Sequence, residues 1–382
     1  MKIMYIAPRF HTNQVDTVKG LLNKGDEVKY ICYYASQIED YSLLKPVVLG
    51  FSFISQFISA FYTKVIKRNC IGALDIRINY GIPPVFKLKR LIRDFNPDIL
   101  ILRERSFYSI VANLVKPQNT VSLLYNQSPY YDDPPKKDLL HKVVYFLTPQ
   151  YRYTPVLGKE TDGHEPRKKD YFLPFVIEPH CEPENRLYFQ DNKINIMCVG
   201  VFTPRKNHIM LLEAINKVRE ELKLDIRLTF VGEAVDNNQI AYLDSLKKRI
   251  LQIKAEEWII IYTNLSRQEV FNTYLKNDLF IIPSTQEPAS VSQLEAMCFS
   301  LPAIVSDSNG TSCYTINGSN GYLFKDNDID DLINKIKEAV SSRENLINLA
   351  HNAYESIIRN NSFEKYYDGI NRIANDIRKN SK

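Results

Sequence analysis

The sequence predicts an α/β protein with two doubly wound, Rossmann-like domains. In the C-terminal half, short apolar segments alternate strictly with amphipathic helical segments, the pattern of a parallel sheet with helices on both faces. The N-terminal half shows the same alternation less regularly. The 382 residues, 45% of them hydrophobic and 24% charged, provide enough apolar material for two separate cores.

In the C-terminal half, apolar segments that end in glycine or polar residues predict strands, and apolar residues at helical spacing predict the intervening helices. Ser266 with Glu269, and Ser290 with Gln293, have the spacing of capping boxes, which predicts a helix start at each place. The predicted strands cover residues 194–200, 226–233, 258–264, 279–284, 302–306 and 321–324. The predicted helices cover residues 209–222, 240–250, 266–277 and 291–300, with one more after the last strand.

In the N-terminal half, shorter apolar segments predict strands at residues 2–7, 27–33, 99–103, 121–125 and 171–175. The polar, proline-containing segment 175–193 then predicts a domain boundary. We therefore divide the chain into a first domain, 1–180, a second domain, 181–360, and a last helical segment, 361–382.

Composition limits the classes of partner. The formal net charge of +5 fits anionic small ligands or a membrane surface, and it is too weak to favour nucleic acid. The six cysteines are scattered without a CxxC pair, which predicts reduced thiols. The first residues lack the layout of a signal peptide, so we expect a cytoplasmic protein.

The longest uncharged stretch, residues 47–63, is too short for a membrane-spanning helix. Its large apolar residues recur at helical spacing, which favours a helix that packs this face into the core; a helix lying on a membrane is the alternative. These residues are Phe53, Ile54, Phe57, Ile58 and Phe61. Ser52, Ser55, Gln56 and Ser59 are expected to face away from them.

A second amphipathic helix is predicted over residues 85–95, where aromatic and aliphatic residues alternate with Lys87, Lys89, Arg90 and Arg93. A basic amphipathic helix suits an anionic bilayer surface. A packed helix with a solvated basic face is the other interpretation. The sequence thus predicts peripheral association with the inner face of the membrane as an addition to the cytoplasmic location.

The residues that follow the strands are the candidates for chemistry, because ligands of parallel α/β sheets bind outside the carboxyl ends of the strands. Glu287 and Glu295 follow one strand, with no Lys or Arg between them. Carboxylates accept hydrogen bonds from two hydroxyls at once, which suits a sugar or a ribose. The helix that begins between them, at Ser290 to Ser292, offers backbone amides to a phosphate. A chance pair of surface glutamates is the alternative.

A basic loop follows the strand that ends at Gly200 and brings Arg205 and Lys206 directly before a helix. Two cations at the carboxyl end of a strand suit a diphosphate group. A solvated basic loop would have the same pattern.

Together these segments resemble the donor-binding domain of retaining glycosyltransferase family 4, the glycosyl transferases group 1, which has the GT-B fold. The resemblance rests on VGVFTPRKNHIMLLEAI, LTFVGE, residues 279–310 and NGYLF. Glu287 and Glu295 match the family's E-x7-E pattern, and Lys206 matches its KG or KN lysine. The close resemblance covers about residues 195–340.

The resemblance implies two Rossmann-like domains that face a central cleft, with the last helix, in residues 361–382, crossing back to the N-domain. Residues 1–180 would bind the acceptor and residues 181–360 the nucleotide sugar. Lys206 and Arg205 would bind the donor diphosphate, and Glu295 would bind the ribose hydroxyls. Glu287 would contact the transferred sugar or stabilise positive charge near its anomeric carbon. The remaining donor-binding residues would be Gly200, Glu233, Thr263, Asn264, Leu265, Ser290, Val291, Ser292, Gly310 and Thr311.

The chain departs from the family pattern at two places. The family commonly has Arg directly after the glycine of the first strand of this domain, where this chain has Val201, so Arg205 is the candidate to supply that charge. The family's first βα loop is usually rich in glycine, whereas APRFHTNQ has none. The candidates on the N-domain side are Arg9, His11, Thr12, Asn13 and Asn126.

The resemblance implies a retaining hexosyltransferase that uses a UDP- or GDP-linked sugar and a glycan or lipid-linked acceptor, in the synthesis of cell-surface polysaccharide or glycoconjugate. It implies no cofactor and no required metal. Residues 326–328, DND, resemble the metal motif of the other glycosyltransferase fold, but their position before a helix favours capping. The alternatives are a GT-B protein that binds nucleotide sugars without transfer, or an epimerase. The oligomeric state is not predicted.

Overall fold

The computed structural model describes residues 1–35, 41–65, 77–78, 81–130, 139–158 and 168–380. Contacts divide the chain into two compact units, which we call unit 1 and unit 2. Unit 1 contains Met1–Val176 and Phe363–Lys382, and unit 2 contains Ile177–Ser362. The sequence analysis places the corresponding divisions at residues 180 and 360.

Unit 1 is built on a seven-stranded parallel sheet. Its strands are β1 (Lys2–Ala7), β2 (Glu27–Cys32), β3 (Val47–Val48), β4 (Ile99–Arg103), β5 (Val121–Tyr125), β6 (Arg152–Thr154) and β7 (Asp170–Phe172), in the order β3-β2-β1-β4-β5-β6-β7. Its helices are α1 (Val15–Asn23), α2 (Phe53–Val65), α3 (Val85–Phe95), α4 (Phe107–Val115), α5 (Leu139–Leu147) and α12 (Phe363–Asn380).

The central strands of unit 1 were predictable, because β1, β4 and β5 are continuous apolar runs buried on both faces of the sheet. In the register, Ile3 lies opposite Val28 of β2 and Ile99 of β4. Strands β3 and β6 were not predicted from the sequence, because they contain only two and three residues. The predicted strand at 171–175 is also shorter in the structure, where β7 is Asp170–Phe172.

The last helix, α12, packs in unit 1 although it follows unit 2 in the sequence. Its buried residues Tyr366, Ile370, Ile373 and Ile377 recur at helical spacing and belong to the core beside the sheet. The Tyr366 hydroxyl lies 3.1 Å from the hydroxyl of Tyr5 on β1. This buried polar contact fixes the helix over the centre of the sheet.

Helix α2 reverses the expected orientation. Phe53 is 81% exposed and Phe57 65% exposed, whereas Ser55 and Ser59 are buried. The core prediction for the apolar face is therefore wrong, and so is the expectation that the serines face away. The reason is hydrogen bonding: the Ser55 hydroxyl accepts a bond of 2.8 Å from the Ile82 amide, so the serine face holds the helix against unit 1. The periodicity identified the apolar face of the helix correctly, but it could not show whether that face packs into the core or lies at the surface.

Unit 2 is built on a six-stranded parallel sheet. Its strands are β8 (Ile194–Val199), β9 (Ile226–Gly232), β10 (Ile259–Thr263), β11 (Leu279–Ile282), β12 (Ala303–Ser306) and β13 (Gly321–Phe324), in the order β10-β9-β8-β11-β12-β13. Its helices are α6 (His208–Leu222), α7 (Asn237–Gln252), α8 (Arg267–Tyr274), α9 (Val291–Cys298), α10 (Ile329–Ala339) and α11 (Arg343–Asn360).

The core of unit 2 lies between this sheet and its helices, with residues such as Ile196, Leu212, Ile215 and Leu332 completely buried. Helix α8 begins with the predicted capping box, because the Ser266 hydroxyl and the Glu269 carboxylate each bond the other's backbone amide. Among the described residues, no helix has the length and apolarity needed to cross a bilayer. The cysteines in the described part of the chain are free thiols, and Cys70 lies outside it.

One buried ion pair tests the packing of unit 1. Arg152 on β6 and Asp170 on β7 lie 2.6 Å apart, and each side chain is only 4% exposed. We expect Asp170→Asn to lower the free energy of unfolding by about 3–5 kcal/mol, because it leaves a buried guanidinium without its counter-charge. Urea unfolding of unit 1, followed by far-UV circular dichroism, measures this change.

The matched control in the same unit is Asp94→Asn, which breaks an exposed pair with Arg90 of 3.6 Å and should cost less than about 0.5 kcal/mol. Trp258, the only tryptophan, lies in unit 2 and reports on that unit separately. Equal losses in the two variants would contradict the prediction.

Candidate functional site

The strand order of unit 2 brings two distant loops together. The order reverses direction between β8 and β11, which are neighbours in the sheet although β9 and β10 separate them in the sequence. Such a switch point opens a crevice at the carboxyl ends of the strands. The loops that follow β8 and β11 meet there, since the Thr285 amide donates a hydrogen bond of 3.0 Å to the Arg205 carbonyl.

Three charged side chains converge at this switch point. The Glu287 carboxylate oxygen Oε2 lies 2.5 Å from Arg205 Nη1 and 2.6 Å from Lys206 Nζ. The side chains of Glu287 and Lys206 are 10% and 12% exposed, while that of Arg205 is 46% exposed. Two cations on one carboxylate leave this cluster with a net positive charge, which favours an anionic ligand.

Gly200 explains how Lys206 reaches the cluster. The chain leaves β8 at Gly200, and a Cβ atom there would lie 3.1 Å from Lys206 Cδ. The absence of a side chain therefore leaves room for the lysine stem along the end of the strand. A short 3₁₀ helix, Pro204–Lys206, and left-handed backbone at Asn207, with φ of 56°, then turn the chain into α6.

The start of α9 is where the sequence predicts it, but the second capping box is wrong. The helix begins at Val291, yet the Ser290 side chain accepts no backbone bond; its hydroxyl lies 3.0 Å from the hydroxyl of Ser292. Gln293 is fully buried and donates instead to the Thr315 hydroxyl, at 2.9 Å. The side-chain amide of Gln293, which the predicted capping box would have used, is therefore bonded to Thr315, a residue distant in the sequence.

The loop after β12 joins the same cluster of loops through Gly310 and Thr311. The Gly310 amide donates to the Glu287 carbonyl at 2.8 Å, and the Ser290 amide donates to the Thr311 hydroxyl at 3.3 Å. The Thr311 hydroxyl in turn donates to Asn309 Oδ1 at 2.9 Å. Asn309 is buried and orders this loop, a role that no sequence motif indicates.

Glu295 lies one turn further along α9. The buried Tyr274 hydroxyl donates to Glu295 Oε2 and to the Ser292 carbonyl, both at 3.3 Å. These bonds orient the carboxylate from the side of α8. Sequence reasoning missed Tyr274, because only the packing of α8 against α9 brings it to Glu295.

The remaining predicted residues of unit 2 lie at the neighbouring strands of the same sheet edge. The Asn264 amide donates to the Gly232 carbonyl at 2.9 Å, and the Asn264 side chain accepts from the Ala234 amide at 2.9 Å. Glu233 accepts a backbone bond from Phe202 at 3.0 Å, which joins it to the loop after β8. Thr263 is exposed and Leu265 half-buried beside them. No direct contact joins their side chains to Lys206 in the described hydrogen bonds and ion pairs.

His208 packs below the basic loop and was not predicted as part of the site. Its ring lies against Phe202 and Phe230, with centroids 5.0 and 5.5 Å away. Burial, and to a smaller extent the Lys206 cation, lower the pKa of His208 to about 3. The ring is therefore neutral at pH 7 and adds no charge to the cluster.

The candidates of unit 1 lie mainly in the loop after β1. His11 precedes a short 3₁₀ helix, Thr12–Gln14, and its Nδ1 accepts a hydrogen bond of 3.4 Å from the Asn13 amide. Burial, then the cations Arg103 and Arg9, lower the pKa of His11 to about 3. Thr12 is exposed, and Asn13 is buried.

Asn126, after β5, has a structural contact. Its side-chain oxygen accepts from the buried Arg152 guanidinium at 3.2 Å. The guanidinium also donates to the Ser128 carbonyl at 3.4 Å and the Pro129 carbonyl at 3.1 Å. Arg152 therefore holds the loop that carries Asn126.

Residues 326–328 act as predicted, since Asp328 caps α10 by accepting from the Asp331 amide. Within the described residues, no group of three or more His, Cys, Asp or Glu side chains is arranged to hold a metal ion. A cavity of about 760 Å³ opens at the opposite edge of the unit 1 sheet, where β5 begins, and is separate from the residues described above.

Comparison with known proteins finds a family match in this half of the chain. Residues 184–356 match the family model of glycosyl transferases group 1. An Escherichia coli UDP-Gal:alpha-D-GlcNAc-diphosphoundecaprenol alpha-1,3-galactosyltransferase is 30% identical over 200 residues, which cover 51% of this chain and 48% of that protein. The chain thus spans about half the length of the curated relatives it matches.

Solved structures match over nearly the whole chain. A Rickettsia africae glycosyltransferase has a TM-score of 0.74 at 16% identity, with 99% of both chains covered. Anabaena Alr3699/HepE in complex with UDP has a TM-score of 0.71 at 12% identity, with 98% of this chain and all of that chain covered. At such identities the likeness concerns the fold, and the fold is GT-B.

We expect Glu287→Gln to destabilise unit 2 by about 3 kcal/mol, because the largely buried Lys206 ammonium loses its counter-charge. Urea unfolding monitored by Trp258 fluorescence measures the change in this unit. Glu213→Gln is the matched control: Glu213 pairs with Arg249 on a more exposed surface, with side chains 29% and 39% exposed. That control should cost less than about 1 kcal/mol, and a Glu287→Gln protein of unchanged stability would refute the buried pair.

Proposed function

We propose that this chain, whose residues 184–356 match the family model of glycosyl transferases group 1, is a retaining glycosyltransferase of that family. It would move a sugar from a nucleotide-diphosphate sugar to a glycan or lipid-linked acceptor. The observation that carries the proposal is the cluster of Arg205, Lys206 and Glu287 at the switch point of unit 2. A role in the synthesis of cell-surface polysaccharide or glycoconjugate follows from that acceptor class.

The donor diphosphate would bind between the basic loop and the start of α9. Phosphate oxygens would take the place that Glu287 now has as partner of Arg205 and Lys206, and bonds from these cations to phosphate are among the stronger ones. The amides at Ser290 to Ser292 add the positive end of a helix dipole. The carboxylate of Glu287 would then be available to the hydroxyls of the transferred sugar.

The same groups explain how the reaction would be accelerated. As the bond between the sugar and the diphosphate breaks, negative charge develops on the leaving phosphate. The Lys206 ammonium is held in place by its burial and stabilises that charge without reorganisation. Glu295, oriented by Tyr274, is placed to accept hydrogen bonds from the ribose hydroxyls.

A UDP-linked hexose is the donor we favour over a GDP-linked one. The E. coli relative is named for UDP-galactose and a lipid-diphosphate acceptor, and the Anabaena structure holds UDP. The edge formed by Glu233, Thr263, Asn264 and Leu265 would lie beside the base, with the Asn264 side chain already fixed by the Ala234 backbone.

A lipid-linked acceptor agrees with the surface of unit 1. The α2 residues Phe53, Ile54, Phe57, Ile58 and Phe61 are each between 55% and 81% exposed. On α3, Phe86 is 89% exposed next to Lys87 and Arg90. Apolar side chains flanked by basic ones suit the interface of an anionic bilayer. We therefore propose that unit 1 associates peripherally with the inner face of the membrane.

The alternatives are a protein that binds the nucleotide sugar without transferring it, and an epimerase. Both would keep the diphosphate contacts. Slow release of free sugar from the donor in the absence of acceptor supports a transferase, whereas binding without any turnover supports the first alternative. Interconversion of the donor to its epimer supports the second.

We expect Lys206→Ala to reduce turnover by roughly 10²–10³, by analogy with the loss of one oxyanion-hole donor. The rate of sugar transfer, or of donor hydrolysis, measures this effect. Lys217→Ala is the control, because Lys217 is 52% exposed on α6 and pairs with Asp330. A Lys206→Ala enzyme as active as the parent would remove Lys206 from the mechanism.

We expect turnover to continue in excess EDTA, because the proposed charge stabilisation uses Lys206, Arg205 and helix amides in place of a cation. The measurement is the initial rate before and after chelation, with a readdition of Mg²⁺ or Mn²⁺. A loss of activity with EDTA that either metal restores is the contrary result.

We expect Phe57→Ser to weaken binding to anionic vesicles about tenfold or more, since burying one Phe side chain contributes roughly 1.5–3 kcal/mol. Co-sedimentation with vesicles of phosphatidylglycerol and phosphatidylethanolamine measures this. Leu187→Ser in unit 2, where Leu187 is 77% exposed, is the control and should leave binding unchanged. A wild-type protein without affinity for these vesicles would defeat the membrane proposal.

A further inference from the structure

The cavity of about 760 Å³ in unit 1 lies where strands β5, β6 and β7 begin, at the opposite edge of the sheet from the loop that follows β1. Four segments that are far apart in the sequence form it: the connection from α4 to β5, the connection from α5 to β6, the residue before β7, and the end of α12. Its volume is within the range of roughly 300–1,000 Å³ that is typical of sites for small ligands. The cavity is separate from the cluster around Lys206, which belongs to unit 2.

Three cationic side chains line this cavity, namely Lys116, Lys169 and Arg378. In the described part of the chain the lining contains no Asp or Glu, and none of the three cations is in an ion pair. Asp170, next to Lys169 in the sequence, is paired with the buried Arg152 guanidinium at 2.6 Å. The cavity therefore has a net positive charge, which favours an anionic ligand.

Lys116 is half-buried and has a neutral partner. Its ammonium group donates a hydrogen bond of 2.9 Å to the Thr120 carbonyl. Burial lowers the pKa of Lys116, because the charged form loses part of its contact with water. This loss has a free-energy cost, and an anion bound in the cavity would offset it.

Uncharged groups at the same cavity suit a ligand with hydroxyls. The side chains of Gln118, Asn119 and Asn380 are exposed and make no hydrogen bond within the described residues. A carboxamide donates and accepts at once, as two neighbouring sugar hydroxyls do. Phe146, which is 79% exposed, and Tyr151 add aromatic surface that the C–H groups of a sugar ring can cover. The lining thus combines cations, free carboxamides and aromatic rings.

We propose that this cavity is a second glycan-binding site, which takes an acidic oligosaccharide whose rings carry carboxylate or phosphate groups. The cations pair with the anionic groups, and the carboxamides bond to the ring hydroxyls. The choice of a glycan over another hydroxylated anion rests on the proposed function, because an enzyme that extends glycans meets such chains. The site would hold part of a chain at the edge of the unit 1 sheet opposite to the loop after β1.

The test measures the binding of a hyaluronan tetrasaccharide, which has a carboxylate on alternate rings, by isothermal titration calorimetry. Uncharged cellotetraose, a chain of the same length, is the comparison. We expect the acidic chain to bind roughly tenfold more tightly, because hydrogen bonds between charged groups are stronger than neutral ones.

We expect Lys169→Gln and Asn119→Asp each to weaken binding of the acidic tetrasaccharide roughly tenfold, since the first removes a cation and the second adds a repelling carboxylate. Lys142→Gln is the matched control, because Lys142 is exposed on α5 and lies outside the lining. It should leave the affinity unchanged.

Lys116→Met should also weaken binding of the acidic tetrasaccharide, and the melting temperature is measured for this variant because Lys116 is half-buried. If Lys116→Met is unstable, the substitutions of the exposed residues Lys169 and Asn119 decide the result.

Three results would overturn the inference: no binding of the acidic tetrasaccharide, equal binding of cellotetraose, or unchanged affinity in both Lys169→Gln and Asn119→Asp. Inorganic phosphate that binds as tightly as the tetrasaccharide, with the same dependence on Lys169, would also contradict a glycan site. Failure of the proposed function has a different signature, namely absence of UDP binding and of donor hydrolysis in the wild type. UDP affinity should be the same in the cavity variants, because the cluster around Lys206 belongs to unit 2.

Discussion

The site of unit 2 depends on one carboxylate that two cations share. Glu287 follows β11, whereas Arg205 and Lys206 follow β8, and only a parallel sheet that reverses its order between these strands brings their loops together. The arrangement holds Lys206 in a largely buried position, where a charge interacts strongly with whatever anion approaches it. The contacts of Gly310 and Thr311 with Glu287 and Ser290 attach a third loop to the same point.

The two units use the same fold in different ways. In unit 2, residues 184–356 match the family model of glycosyl transferases group 1. Unit 1 has a switch point lined by Arg9, His11 and Arg103, together with an apolar face on α2. Binding residues concentrate on loops that a rigid sheet positions, so the same architecture can serve two chemically different ligands.

In helix α2 the sequence pattern predicts the apolar face correctly, but the prediction that this face packs into the core is wrong. The apolar spacing is real, but the hydrogen bond from the Ile82 amide to the Ser55 hydroxyl holds the opposite face of the helix against the rest of the unit. A large apolar surface left facing outward has a free-energy cost in water, which a lipid interface removes. The sequence alone left two positions open for this face, the core and a membrane surface, and the structure shows that it is not packed in the core of unit 1.

The sequence by itself determined the alternation of strands and helices, the central strands, the Ser266 cap and the positions of Lys206, Glu287 and Glu295, because these depend on local periodicity and on loops that directly follow buried strands. It did not determine β3 and β6, which are too short for a periodic signal. Only the tertiary structure decided that Gln293 bonds to Thr315, that Tyr274 orients Glu295, and that Arg103 joins Arg9 and His11. These contacts join residues far apart in the chain, and strand order and helix packing, which no short window of sequence contains, bring them together.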